Sequence, residues 1–98
     1  MGKTEKTLYR VLRGDSDANI PFQDLRKLLL HFGFSERIRG SHHIYARTNI
    51  VEIINLQPIG SKAKPYQVKQ VRNIIVAYGL ASTQTDEADE SNKPNAEE

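Results

Sequence analysis

Residues 21–56 read PFQDLRKLLLHFGFSERIRGSHHIYARTNIVEIINL, and the rhythm of apolar residues changes partway through. Phe22, Leu25, Leu28, Leu29 and Phe32 fall at i, i+3, i+6, i+7 and i+10, which lines one face of an α-helix. The spacing predicts a helix over 21–32. Pro21 suits its first turn, where a missing N–H leaves no bond unmade. Asp24 puts negative charge near the positive end of the helix dipole, and Gly33 can take the left-handed conformation that commonly ends a helix. Beyond Gly33 the period shortens to two. Residues 34–39 predict a strand with Phe34, Glu36 and Ile38 on one face and Ser35, Arg37 and Arg39 on the other. Gly40-Ser41 forms a tight turn, 42–47 a second strand, and Thr48-Asn49 another turn, since Asn tolerates left-handed angles. Residues 50–56 form a third strand, whose nearly unbroken apolar run predicts a central or well-covered position.

The flanks complete the pattern. Leu8, Val11 and Leu12 predict a short helix over 5–13, stopped by Gly14-Asp15-Ser16-Asp17. Residues 57–64 read as a loop carrying Gly60, Ser61, Lys62 and Lys64. Pro65 opens a last helix over 65–78, with Val68, Val71, Ile74, Ile75 and Tyr78 inward and Lys69, Gln70, Arg72 and Asn73 outward, ended by Gly79. The fold class is therefore α+β. Its α-β-β-β-α core is a three-stranded antiparallel sheet with two helices on one face, the layout of a double-stranded-RNA-binding domain, plus a short N-terminal helix. Residues 1–18 are the N-terminal helix and turn, 19–81 the core, and 82–98 a tail.

The charge is divided along the chain. The whole carries a net charge of +2, but residues 1–81 hold 13 Lys and Arg against 6 Asp and Glu, a net of +7. Residues 82–98, STQTDEADESNKPNAEE, hold one lysine against six acids. That composition cannot offset the entropy of ordering, so the tail is expected to be disordered. A basic body suits a polyanion such as RNA. With no cysteine, there is no disulfide framework and no thiolate zinc site. No apolar run is long enough for a membrane span or a signal peptide, which makes a cytoplasmic location the expectation.

The candidate chemistry centres on Arg39-Gly40-Ser41-His42-His43-Ile44-Tyr45. Histidine ordinarily titrates near neutral pH, so it can take and give a proton there. Cleaving RNA needs a base for the 2′-hydroxyl, an acid for the leaving oxygen and cations for the charged transition state. His42 is the leading catalytic candidate, with Arg37 and Arg39 as electrostatic support. His43 points to the opposite side of a regular strand, as a structural residue or a peripheral RNA contact. Alternation leaves open whether Tyr45 or Ile44 faces the helices. Ser41 can donate a hydrogen bond to phosphate. Lys62, Lys64, Lys69 and Arg72 run from the basic loop into the last helix and are candidate phosphate contacts. His31 reads as a surface residue. His42 and His43 are too close to converge on one ion and no carboxylate cluster joins them, so no metal site is predicted.

The segment FQDLRKLLLHFGFSERIRGSHHIY resembles the HicA family of type II toxin–antitoxin systems. The matching elements are a helix ending in Gly33-Phe34, a short strand, then Arg39, Gly40, Ser41, His42 and Tyr45, with Lys64-Pro65 leading into the final helix. The resemblance covers about residues 19–80. It implies a small endoribonuclease of double-stranded-RNA-binding fold that cleaves mRNA without a metal or a small-molecule cofactor and arrests translation. It also implies a HicB-type antitoxin as protein partner and His42 as the catalytic histidine. The third strand departs from the family in lacking a second histidine that many members carry in that region. Two other functions fit the residues: a non-catalytic RNA-binding module, and a protein-interaction domain whose basic face docks an acidic partner.

Overall fold

The computed structural model describes residues 2–81; the predicted tail, 82–98, lies outside the described residues. Helix α1 spans Lys3–Arg13, and a single 3₁₀ turn, Asp17–Asn19, leads to α2 at Phe22–His31. Strands β1 (Ser35–Arg39), β2 (His42–Arg47) and β3 (Ile50–Leu56) follow. Two short strands, β4 (Pro58–Ile59) and β5 (Lys62–Ala63), precede helix α3 at Pro65–Ala77. Strands β1, β2 and β3 form one antiparallel sheet in that order. The α+β class and the meander agree with the sequence periodicity.

The core lies between this sheet and the helices. Phe22, Leu25, Leu28, Leu29 and Phe32 are all buried, as are Val68, Val71, Ile74 and Ile75 of α3. The sheet contributes Tyr45, Ile50, Ile54 and Leu56. Each fully buried Leu or Ile side chain stabilises the fold by about 1.5–3 kcal/mol. Helix α1 belongs to the same core through Val11, while Leu12 is partly exposed and Thr7 takes a buried place on the inner stripe.

Three features differ from the sequence reading. The third strand is an edge strand, and Val51 and Ile53 on its outer face are 85% and 56% exposed. The apolar run misled because the helices cover one face only and the pairing with β2 shifts register between Tyr45 and Arg47, so that Ile50, Ile54 and Leu56 are buried while Val51, Glu52 and Ile53 are exposed. Residues 57–64 form a hairpin rather than a loop, with Pro58 opposite Ala63. It is held to the chain before α2, where Phe22 N–H donates to the Ser61 carbonyl and Ala63 N–H to the Ile20 carbonyl, both at 2.9 Å. Tyr78 is only partly buried, and its hydroxyl donates to Glu52 Oε1 at 2.6 Å.

Arg72 also departs from its predicted place. Its guanidinium donates to both carboxylate oxygens of Asp17, at 2.9 and 3.2 Å, and to the Val11 carbonyl at 3.1 Å. It clasps α3 to α1 across 61 positions of sequence. Arg72→Ala is expected to lower stability by about 2 kcal/mol in urea melts, because a partly buried carboxylate and a carbonyl lose their donor.

Candidate functional site

The turn between β1 and β2 sets the site. Gly40 stands at φ 58° while Ser41 is outside the left-handed region, the arrangement of a two-residue hairpin with glycine first. Any other residue at Gly40 would be strained. The turn pairs Arg39 directly with His42, and Arg37 with Ile44. Ile44 in turn lies opposite Asn55 of β3. Tyr45 is the inward residue of β2, so His42, Ile44 and Ala46 share the open face with Arg37, Arg39 and Asn55.

Around His42 the side chains form a connected polar network. His42 Nδ1 lies 3.2 Å from Asn55 Oδ1. With the amide oxygen as acceptor, Nδ1 carries the proton and Nε2 keeps its lone pair. Gln57 Nε2 donates to Ser41 Oγ at 3.1 Å, and Lys64 Nζ donates to Gln57 Oε1 at 3.2 Å. Beneath them lies Gln67, 3% exposed. Its Oε1 accepts from Gln57 N–H, and its Nε2 donates to the Asn55 carbonyl, both at 3.0 Å. One buried amide therefore fixes the backbone on either side of Leu56, and with it both residues that touch Ser41 and His42.

The structure brings Ser41, His42, Arg37, Arg39 and Lys64 to one end of the open sheet face. Arg37 and Arg39 are exposed and make no ion pair among the described residues, so their charge is available to a ligand. Lys62 sits in the β4–β5 hairpin with Nζ 3.2 Å from Asn19 Oδ1, and Lys69 is exposed on α3. Two predicted contacts lie elsewhere: Arg72 in the clasp described above, and His43 on the helix side of the sheet. His43 packs edge-on against Phe22, with ring centroids 4.9 Å apart, and its Nδ1 is 3.4 Å from Glu36 Oε2. Strand alternation separates it from His42.

Glu36 is the centre of a second cluster on that inner side. Arg26 grips both its oxygens, and the Tyr45 hydroxyl donates to Oε2. The Arg26 guanidinium holds the Glu36 carboxyl well below its usual range, at about 2, against the opposing effect of burial. Burial first, and then the bond to Glu36, push the Tyr45 phenol well above its ordinary range. These bonds occupy the carboxylate, so the cluster braces α2 against the sheet.

Sequence reasoning missed Asn55, Gln57 and Gln67. Amides carry no titratable signature, and only the strand register and the start of α3 bring them to His42. Among the described residues no three His, Cys, Asp or Glu side chains converge as a metal site, and no helix is long and apolar enough to cross a membrane. The chain matches none of the family models, curated proteins or solved structures with which it was compared.

Proposed function

We propose that this protein is an endoribonuclease of the HicA type, the toxin of a toxin–antitoxin pair, built on a double-stranded-RNA-binding-domain scaffold and cutting mRNA through His42. The observation that carries the reading is the exposed His42 imidazole beside Arg39, its Nδ1–H held by Asn55 and its Nε2 lone pair unspent. Nε2 takes the proton of a ribose 2′-hydroxyl. The 2′-oxygen then bonds to phosphorus as the bond from phosphorus to the 5′-oxygen breaks. The imidazolium returns its proton to that leaving oxygen. Arg39, Arg37 and Lys64 stabilise the negative charge that builds on the phosphoryl oxygens. One strand end carries a 2′,3′-cyclic phosphate and the other a 5′-hydroxyl. A HicB-type antitoxin covering this face would silence it.

A specific observation favours a second reading, a non-catalytic RNA-binding module. Among the described residues the groups bonded around His42 are amides, a hydroxyl and the Lys64 amine, with no second imidazole and no carboxylate. Incubating a long single-stranded RNA with the purified protein in EDTA separates the two. The ribonuclease reading expects fragments with cyclic phosphate and 5′-hydroxyl ends. Binding that weakens with salt and leaves the RNA whole would establish the module instead.

A further inference from the structure

We propose that Tyr66 is the nucleobase-stacking residue of the His42 site, so that single-stranded RNA is held there by a base as well as by its phosphates. The inference rests on the RNA-directed reading above and extends it to how the substrate is gripped.

The argument begins with an aromatic ring left in water. Tyr66 is 65% exposed, whereas Phe22, Phe32, Phe34 and Tyr45 are all buried in the core. Tyr9 is exposed too, but it lies on α1 with the Arg13 guanidinium over its ring, 5.4 Å from the centroid. Tyr78 is tied to Glu52 at the other end of α3. Among the described residues Tyr66 is thus the exposed ring that adjoins the histidine site.

Its attachment to that site runs through Gln67. The Tyr66 hydroxyl lies 3.4 Å from Gln67 Nε2, the same amide nitrogen that holds the Asn55 carbonyl. Asn55 in turn holds His42. The ring is therefore tied at its tip to the amide that holds the backbone of Asn55, while most of its surface stays exposed. Two residues earlier, Lys64 reaches Gln57 and through it Ser41. A cation and an exposed aromatic ring are carried two residues apart at the start of α3. Single-stranded nucleic acid is bound by this pairing, with cations following the phosphates and aromatic rings stacking on bases. A base on Tyr66 would bring the adjoining phosphodiester towards His42 and Lys64.

The test uses the full-length chain with His42→Ala as background, so that bound RNA stays intact. A fluorescein-labelled single-stranded RNA octamer is titrated by anisotropy over a range of salt, with heparin, a polyanion without bases, as comparison. Tyr66→Ala should weaken RNA binding by on the order of tenfold. The slope of affinity against salt should not change, because no phosphate contact is lost. Tyr66→Phe should keep the affinity, and heparin binding should be equal in all three proteins. Unaltered RNA binding by Tyr66→Ala overturns the stacking role alone, as does an equal loss for RNA and heparin. No RNA binding by any of the proteins, with no cleavage by the wild type, overturns this inference and the parent reading together.

Discussion

In the proposed ribonuclease, His42→Ala is expected to slow RNA cleavage by about 10²–10⁴-fold, the usual contribution of a positioned acid–base side chain. Imidazole as a side-chain type ordinarily takes and gives protons, and among the described residues His42 carries the imidazole at the Arg39 end of the open face. Asn55, Gln57 and Ser41 can orient it or bind phosphate but cannot replace it. The fold should tolerate the change, because His42 is exposed and its bond to Asn55 lies on the surface; such substitutions usually stay within about 0.5 kcal/mol of wild type. Single-turnover cleavage of a labelled RNA, with thermal melts of both proteins, checks this. Full activity in a normally folded His42→Ala protein would remove His42 from the mechanism.

The largest effect on stability should come from Glu36→Ala, with a loss of about 3 kcal/mol at pH 7. Its carboxylate is largely shielded from solvent and accepts from Arg26 and Tyr45, with His43 close by. Truncation leaves a guanidinium and a core hydroxyl without their acceptor, and each unmade bond costs more than the bond itself contributed. The same group sets a pH dependence. Its folded carboxyl titrates at about 2, below the ordinary 4.5. Stability from this source is complete above pH 4.5 and is lost as pH falls towards 2. After allowance for screening at the rim of the cluster, the loss is about 1–2 kcal/mol. Urea melts at pH 7, 4 and 2.5 should show the wild type losing more than Glu36→Ala over this interval. Parallel losses in the two proteins would contradict the assignment.

The sequence made the helices and the sheet order legible because their signals are local. The Phe22-to-Phe32 stripe and Gly33 at φ 90° needed no distant partner to be interpreted. The inward face of β2 was not legible. Each of its faces mixes a histidine with apolar residues, and what decides is Glu36 on the neighbouring strand with Arg26 above it, which together satisfy the Tyr45 hydroxyl. Arg72 shows the same limit: at helical spacing it falls on the outer face, but Asp17 meets it from 55 positions away. His42 stands out in the sequence because imidazole has a distinctive chemistry. The amides that hold it do not, since their role comes from register alone.

A sheet of three strands has two open edges, and open edges invite the pairing of one molecule with another. Gln67 closes part of one of them. Its side chain bonds the Asn55 carbonyl and the Gln57 N–H, as the backbone of a fourth strand would. The rest of that edge exposes Val51 and Ile53, with the negative charge of Glu52 between them. Charge in the middle of an apolar edge is a common guard against fibrous self-association. The protection of this edge against pairing with another strand therefore rests on two neighbouring devices, one amide and one carboxylate, and the first of them also holds the backbone that carries the partners of Ser41 and His42.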